Sequence, residues 1–386
     1  MKTITVNGNA FKSMIKKAAS LNLHSAGIPT TEQILIKVQN QKVCVCANNF
    51  IETLRMTTTT ESYDEFEAIV DGSELSKIAN IKGTTLDISY DDVGKIITFS
   101  DDKKSITIHG FTSEQNELNF ESFSIPLDDP GHNYVLDINS SELLESVKIC
   151  NTFTSKVDSK PILCGIHFNS EDNCIEALDG YRAIRRYLKT ARQKDGYEFT
   201  MDSKFENVKN VLDKNRDINV YVIENKYTVF VDADNEYMTE YAVRHIQGKY
   251  FNVKEAIPTS FVTNITVNAD EMQEICKEFK GYISAKDAVP MILVETNHKL
   301  YAYIKTSRYK VSQQIETANI DGCRDIYTGY KIAFMQDAMK VFDKGETVKI
   351  GYNKSLTPIL ISNGTYDIVV LPVRLQVSEA EVKAAV

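Results

Sequence analysis

Few of the side chains in this sequence that could bind a metal ion or act in catalysis have a spacing that suits either role. Cys44 and Cys46 stand two residues apart, so on a β-strand both thiols would share one face and could hold a soft metal ion. Small thiols that pack as apolar side chains are the simpler interpretation, and we favour it. We therefore predict no metal site. The odd number of cysteines, seven in all, and the lack of any CxxC motif favour free thiols in a reducing compartment.

The acidic and imidazole side chains form no recognisable catalytic constellation. The histidines are scattered without ligand spacing, and Asp91-Asp92 and Asp128-Asp129 fall in predicted turns. The sequence has no glycine-rich phosphate loop, no GxSxG elbow and no HExxH motif. We predict no catalytic residue, no cofactor and a protein that is not an enzyme. A triad assembled from distant positions stays an open alternative.

Lysines on the predicted helices are the third chemical feature, and they could contact phosphates without reading a base sequence. Lys12 and Lys16 share one helix face, and no acidic residue lies between Ala10 and Ser20. An ordinary solvated helix face is the alternative for any single helix. The corresponding helix near residue 270 is mainly acidic, which weakens the pattern there.

The elements that carry these lysines recur along the chain. A strand that runs into a helix at an Asn occurs at Asn7, Asn139 and Asn268, in steps of 132 and 129 residues. A second helix start recurs at Asp71, Asp202 and Tyr330, in steps of 131 and 128 residues. This period is too long for a solenoid repeat, so we predict three complete copies of one domain.

Strands dominate each copy. Alternating apolar residues predict hairpins that pair 34–38 with 42–47, 95–99 with 105–108, 219–223 with 227–231, and 347–350 with 358–361. Helical stripes are few, and Leu143, Leu144, Val147 and Cys150 form one of them. Two helices packed on antiparallel sheets in each copy make an α+β fold.

Bulk properties agree with three soluble domains. The length of 386 residues suits copies of about 130 residues each, a size that can bury a core. No segment resembles a signal peptide or a membrane span, so we expect a cytoplasmic protein. The net charge of −9 argues against a uniformly basic nucleic-acid surface but allows a local basic stripe.

Turn residues mark the expected domain boundaries. Clusters around 126–131 and 257–260 divide the chain into domains 1–126, 127–256 and 257–375. The remaining residues, 376–386, are charged and rich in alanine, and we expect a frayed, flexible tail.

Three segments carry a combined pattern: Lys160–Ile166 (KPILCGI), Ala177–Ile184 (ALDGYRAI) and Val369–Leu375 (VVLPVRL). Their order, the chain length and the threefold repeat resemble the bacterial sliding clamp family, the beta subunit of DNA polymerase III. The resemblance covers the whole chain and implies a divergent member, from a low-GC Gram-positive bacterium or its phage. It implies three DNA-clamp domains per chain and a head-to-tail homodimer that forms a six-domain ring around duplex DNA.

The resemblance also implies partners and sites. Such a ring tethers a replicative polymerase by topological linkage, and polymerase and clamp loader bind it through short linear peptides. Helix lysines would face double-stranded DNA without sequence preference; the matching residues are Lys12, Lys16, Lys17, Lys77, Lys148, Lys204, Lys209 and Lys340. An apolar cleft would bind the peptides; the matching residues are Leu163, Leu178, Gly180, Tyr181, Arg182, Ala183, Pro358, Val369, Val370, Leu371, Pro372, Val373 and Arg374.

Several positions depart from the family pattern. The loop Leu23–Pro29 lacks the usual arginine, Tyr181 replaces the commoner histidine, and 251–255, which would form part of the cleft wall, differs from the family's basic stretch. These departures, with the acidic helix near residue 270, leave an alternative open: a clamp-derived peptide-binding hub that no longer encircles DNA.

Overall fold

The structure is a computed structural model that describes residues 1–21, 29–111, 134–157, 159–189, 192–193, 196–202, 207–223, 226–234, 236–284 and 288–386. The chain divides into two compact units. The first comprises Met1–Glu145 and Thr190–Gln247, and the second comprises Ser146–Lys189 and Gly248–Val386. The first predicted joint, around 126–131, and the loop that lacks the arginine (except Pro29) lie outside the described residues.

Strands make up most of the regular structure. In chain order they are β1 (Lys2–Asn7), β2 (Gln33–Gln39), β3 (Lys42–Asn48), β4 (Glu52–Thr59), β5 (Phe66–Asp71), β6 (Thr85–Asp91), β7 (Ile96–Ser100), β8 (Ser105–His109), β9 (Tyr134–Asn139), β10 (Gly165–Asn169), β11 (Cys174–Leu178), β12 (Arg182–Tyr187), β13 (Arg192–Gln193), β14 (Glu198–Asp202), β15 (Asp217–Ile223), β16 (Tyr227–Ala233), β17 (Met238–Arg244), β18 (Thr263–Asn268), β19 (Pro290–Thr296), β20 (Lys299–Lys305), β21 (Lys310–Gln314), β22 (Asn319–Gly322), β23 (Tyr327–Lys331), β24 (Thr347–Tyr352), β25 (Ile359–Ser362) and β26 (Tyr366–Val370).

The helices are short. They are α1 (Gly8–Ala19), α2 (Gly72–Ser76), α3 (Ser140–Asn151), α4 (Val208–Val211), α5 (Val253–Ala256), α6 (Ala269–Gly281), α7 (Ile332–Met339) and α8 (Glu379–Lys383). Single 3₁₀ turns occur at Pro29–Glu32, Lys77–Asn80 and Pro161–Cys164. None of the described helices is long and apolar enough to cross a membrane.

The repeated Asn begins a helix in all three copies, as predicted. The side chain of Asn7 accepts hydrogen bonds from the backbone of Asn9 and Ala10, and Asn268 does the same for Asp270 and Glu271. Asn139 accepts a bond from the backbone N–H of Ser141 at 3.0 Å. An Asn cap satisfies N–H groups that the first helical turn leaves unpaired, which explains why this residue type recurs.

The first and third copies bury the same helical stripe. Helix α1 buries Phe11, Met14, Ile15 and Ala18, and α6 buries Met272, Ile275, Cys276 and Phe279. Each set has i, i+3, i+4, i+7 spacing, which places all its members on one face. Each large apolar side chain buried in this way contributes about 1.5–3 kcal/mol to stability.

The first unit contains two antiparallel sheets. One has the strand order β1-β6-β7-β8, and the other has the order β13-β9-β15-β16-β17-β4-β3-β2-β5. The predicted hairpins β2–β3, β7–β8 and β15–β16 all form.

The second unit repeats this plan. One sheet has the order β21-β20-β19-β23, and the other contains the consecutive strands β10-β11-β12-β26-β25-β24-β18-β22. The predicted hairpin β24–β25 forms, and β26 lies between β25 and β12. Helices α6 and α7 pack on each other in this unit.

The C-terminal tail is more ordered than the sequence suggested. We expected Gln376–Val386 to fray, whereas the structure folds α8 within it and buries Val382 completely. The side chain of Ser378 caps α8 by accepting a bond from the backbone N–H of Glu381. The physical reason is that Val377, Val382 and Val386 pack in one apolar cluster with Ile292 and Val294 of β19.

Candidate functional site

The floor of the predicted cleft is one row of apolar side chains across four neighbouring strands. In the strand register Leu178 of β11 lies opposite Ala183 of β12, and Ala183 lies opposite Val369 of β26. Leu360 of β25 lies on the other side of Val369. Directly opposed residues share a face of the sheet, so these side chains form one continuous surface.

The cleft walls come from a loop and two short helical turns. Tyr250 and Val253 pack on the floor, together with the half-exposed side chains of Ile162, Leu163 and Ile257. The ring of Tyr250 stacks on His167 with 4.3 Å between centroids. The partial exposure of Leu163 and Leu360 leaves apolar surface that an aliphatic or aromatic anchor could cover.

The stretch that departs from the family pattern therefore still lies at a wall. Its neighbour Tyr250 and its own Val253 supply buried apolar side chains. Five residues of this cluster were not predicted from the sequence: Tyr250, Val253, Ile162, Ile257 and Leu360. The only signal was a run of apolar residues at i, i+3 and i+7 from Tyr250 to Ile257, which is weak outside a regular helix.

Arg182, which directly precedes Ala183 on β12, is already paired. Its guanidinium donates to Asp179 at 3.0 Å, to Asp337 at 2.7 Å and to the carbonyl oxygen of Thr152 at 2.9 Å. The guanidinium also lies 4.9 Å from the ring centroid of Phe153 and 4.5 Å from that of Phe334. Arg182 therefore braces the turn at Asp179 from the face of the sheet opposite the floor, with only 8% of its surface exposed.

The turn before Arg182 presents an aromatic ring to solvent. Gly180 adopts a φ of +89°, which favours glycine because a side chain would be strained there. The carboxylate of Asp179 accepts the backbone N–H of Tyr181 at 2.9 Å and of Arg182 at 3.1 Å. Tyr181 is 65% exposed, and its ring lies 6.2 Å from that of Phe334. The turn thus holds an exposed tyrosine beside the cleft.

The C-terminal segment Leu371–Arg374 follows directly from the floor strand. β26 ends at the buried Val370, and Leu371 donates its N–H to the carbonyl oxygen of Tyr181 at 3.0 Å. Val373 donates to Gly329 at 2.8 Å. Leu371 and Arg374 are exposed, whereas Pro372, Val373 and the more distant Pro358 are half-buried.

A row of charged side chains, of which Glu176 and Arg185 are buried, runs beside the apolar floor on the same face. The charged residues lie two positions from the floor residues on the same strands. Glu176 lies opposite Arg185, and Arg185 lies opposite Asp367. Arg185 donates to Glu176 at 2.6 Å and to Asp172 at 2.5 Å. Asp172 also accepts from Lys254 at 2.7 Å.

Burial and pairing move the pKa values of this row in opposite directions. Burial raises the pKa of the Glu176 carboxyl, and Arg185 only partly offsets that effect. Burial would also raise the pKa of Asp172, but hydrogen bonds from Lys254 and Arg185 outweigh it and hold that pKa below its usual value. The ionised form of Glu176 therefore depends on Arg185.

Seven of the eight predicted phosphate-contacting lysines lie among the described residues, and they fall into two groups. Lys12 donates to the carbonyl oxygens of Ile81 and Gly83, Lys17 is buried against Asp213 at 2.7 Å, and Lys77 pairs with Glu74 at 2.7 Å. The second group consists of exposed lysines that form no hydrogen bond or ion pair with described residues: Lys16, Lys148, Lys209 and Lys340. Lys204 lies outside the described residues.

Each of two helix pairs forms a shallow groove. In the first unit, Lys12 and Lys16 of α1 line a groove of about 440 Å³ with residues of α2 and the following turn, and none of the described residues that line it is acidic. In the second unit, α6 and α7 form a groove of about 270 Å³ lined by Asp270 and Glu274 as well as Lys277, Lys340 and Lys344. The charge difference predicted between the first and third copies is therefore present.

Cys44 and Cys46 share one face of β3, as predicted, with their sulfur atoms 3.4 Å apart. The hydrogen bond between the two thiols lowers the pKa of Cys44 and, together with burial, raises the pKa of Cys46. Within the described ranges, no group of three or more His, Cys, Asp or Glu side chains is arranged to hold a metal ion.

These environments predict an order of thiol reactivity. Iodoacetamide at pH 8 should modify the exposed Cys323 and the half-buried Cys44 well before Cys150 and Cys276, because burial raises the pKa of the latter two to about 12. Peptide mass spectrometry over a time course measures the order. In urea all of these thiols should react at similar rates, and fast modification of Cys150 in the native protein would contradict its placement.

Comparison with known proteins gives the same fold. No protein-family model matches the chain. It is 21% identical over 375 residues to the beta sliding clamp of Streptococcus pneumoniae (serotype 4), with 92% of this chain and 94% of that protein covered. A beta sliding clamp of Mycoplasma capricolum is 21% identical over 238 residues, which cover 60% of this chain and 61% of that protein.

Solved structures match over almost the whole chain. A putative DNA polymerase III beta subunit from Eubacterium rectale has a TM-score of 0.81 at 18% identity, and the match covers 97% of this chain and all of that one. The DNA polymerase beta subunit of Streptococcus pyogenes has a TM-score of 0.80 at 17% identity, with 97% of this chain and all of that one covered. The expected resemblance and the expected α+β fold are both confirmed.

Proposed function

We propose that this chain, a divergent relative of the bacterial beta sliding clamps, is a non-catalytic DNA polymerase processivity factor of the cytoplasm. Two copies would close into a ring around duplex DNA, and the cleft on the β11-β12-β26-β25 face would bind short peptides of polymerase and clamp loader. The observation that carries this proposal is the fold match over 97% of the chain, and a partly exposed apolar cluster at the segments that resemble the family supports the proposed cleft. The division into three clamp domains is part of the proposal.

Open sheet edges support the homodimer. β8 and β21 each end a four-stranded sheet and pair with no further strand among the described residues. The opposite ends are protected, because β1 is bonded to the side chains of Ser62 and Asp64, and β23 is bridged by Val373. Strand addition between β8 of one copy and β21 of another would give a head-to-tail junction, and two such junctions close a ring. Size-exclusion chromatography with light scattering should show a dimer.

The free lysines support a sequence-independent contact with DNA. Lys16 and Lys209 are exposed and unpaired within the described part of the first unit, so both ammonium groups are available to phosphates. Lys12 and Lys17 are engaged by the protein itself, and their main contribution is to the packing around α1.

Reversing the charge of the free lysines should weaken retention on DNA. We expect the double variant Lys16→Glu, Lys209→Glu to leave nicked circular plasmid at least tenfold faster than the native protein, because it replaces attraction to phosphate by repulsion. Retention is measured by gel filtration of the plasmid complex after loading. A matched control, Lys42→Glu with Lys354→Glu, makes the same charge change in the exposed turns of two hairpins and should not alter retention.

The same experiment separates the clamp from the alternative. A ring should slide off once the plasmid is linearised, whereas a non-topological DNA binder should not. The mixed charges of the α6–α7 groove favour the second candidate, a peptide-binding hub that does not encircle DNA. If the protein is a stable monomer that binds peptides but never stays on circular plasmid, the hub hypothesis would replace the clamp hypothesis.

A further inference from the structure

The tail Gln376–Val386 covers one face of the β21-β20-β19-β23 sheet. Val382 is fully buried against Ile292, Val294 and Tyr303. Leu375, Val377 and Val386 extend the same apolar cluster along the sheet. The tail is therefore packed as a core element, although its composition is that of a surface segment.

Polar contacts fasten the tail across the sheet. The hydroxyl of Tyr327 donates to the carbonyl oxygen of Val377. The carboxylate of Glu381 accepts from Lys305 at 2.6 Å and lies 3.7 Å from Lys310. The hydroxyl of Ser312 donates to the carbonyl oxygen of Ala385 at 3.4 Å. These contacts engage three of the strands, and Val382 packs on the fourth.

The tail continues directly from the C-terminal wall of the cleft. The backbone N–H of Leu371 donates a hydrogen bond to Tyr181 at one end of that wall, and the N–H of Val373 donates one to Gly329 near the other end. The side chain of Leu375 lies so close to Gly329 that an added Cβ there would come within 2.4 Å of its Cδ2 atom. Residues 371–375 thus form a short bridge, and the packed tail fixes its C-terminal end.

We infer that the tail is a latch that keeps the wall 371–375 of the peptide cleft in its binding conformation. Without the latch the bridge would end in a free chain terminus, which frays readily. A peptide would then have to order the wall as it binds, and the cost of that ordering would lower its affinity. The effect on peptide affinity rests on the proposed function, whereas the ordering of the wall does not.

Hydrogen exchange with mass spectrometry tests the ordering directly on the full chain. The variant Val382→Asp places a carboxylate in the buried position and should release the tail. We expect the amides of Leu371, Val373, Arg374 and Leu375 to exchange at least tenfold faster than in the native protein. Ala380→Asp introduces the same residue at an exposed position of α8 and serves as the control. A chain that ends at Gln376 should behave like Val382→Asp.

Peptide affinity provides the second readout. The probe is a fluorescein-labelled hexapeptide that ends in Leu-Phe, followed by fluorescence anisotropy. We expect Val382→Asp to bind it at least fivefold more weakly, and Ala380→Asp to bind it as the native protein does. Unchanged exchange at 371–375 in both Val382→Asp and the truncated chain would overturn the latch. Faster exchange with unchanged affinity would overturn its role in binding, and a native protein that does not bind the probe would instead overturn the cleft assignment.

Discussion

Replacing Arg185 with methionine is expected to lower the free energy of unfolding by about 3–5 kcal/mol at pH 8, the range for breaking a buried ion pair. The side chains of Arg185 and Glu176 are 3% and 2% exposed, so solvent cannot take the place of the lost partner. The variant leaves Glu176 buried without its cation. Urea unfolding followed by circular dichroism measures the difference.

The deficit should shrink as the pH falls. Burial holds the pKa of Glu176 above its unfolded value, so this group favours folding most below its unfolded pKa and loses that contribution as the pH rises through its folded pKa. Without Arg185 the folded pKa rises further, and the loss becomes larger. At pH 5 a greater share of Glu176 is protonated in the variant, so the difference from the native protein should be clearly smaller than at pH 8.

Two further variants isolate the cause. Lys254→Met removes the exposed partner of Asp172 and should cost less than about 1 kcal/mol, as exposed ion pairs do. The double variant Glu176→Gln, Arg185→Met removes both buried charges and should recover much of the lost stability. A deficit for Arg185→Met that stays constant from pH 5 to pH 8 would show that packing, not the uncompensated carboxylate, is responsible.

Arg182→Met should weaken peptide binding by at least tenfold. Arg182 ties Asp179 to Asp337 and lies against the rings of Phe153 and Phe334, so its loss frees the turn that positions Tyr181. We also expect about 2–4 kcal/mol of lost stability, because two partly buried carboxylates lose their common partner. Anisotropy with the Leu-Phe hexapeptide measures the affinity, and urea unfolding measures the stability.

A nearby cation offers a matched control. Lys331 is exposed, and its ammonium group lies 4.5 Å from the ring centroid of the same Phe334, but it makes no ion pair in the described part of the chain. Lys331→Met should change the affinity less than twofold. Arg182→Lys keeps the charge, but an ammonium group cannot reproduce the planar set of hydrogen bonds that the guanidinium donates. This variant should therefore give an intermediate affinity. If Arg182→Met and Lys331→Met lower the peptide affinity equally, the loss of a positive charge, and not the loss of the turn that positions Tyr181, would be the cause.

Local features of the fold were predictable from the sequence. The Asn caps of α1, α3 and α6, the four hairpins and the apolar stripe of α3 all depend on residues close together in the chain. The cleft residues Leu178, Ala183 and Val369 were predicted only through resemblance, because their meeting depends on how β12 pairs with β26.

Long-range pairings account for what the sequence did not predict. Arg182 meets Asp337 across 155 residues, and Lys17 meets Asp213 across 196 residues. No local pattern distinguishes such a lysine from one on a solvated helix face. The tail was mispredicted for a similar reason, because its apolar residues are sparse and the sheet that they cover lies between residues 290 and 331.

The strand register at the floor of the proposed cleft sets a length scale for a peptide that would bind there. Leu178, Ala183, Val369 and Leu360 lie on four adjacent strands, so the row spans three strand spacings, or about 14 Å. An extended peptide advances about 3.3 Å per residue, so four or five residues cross the whole row. Because the hydrogen-bonded ladder fixes this distance, changes in wall side chains can alter which anchors fit, while the number of peptide residues that can be accommodated stays the same.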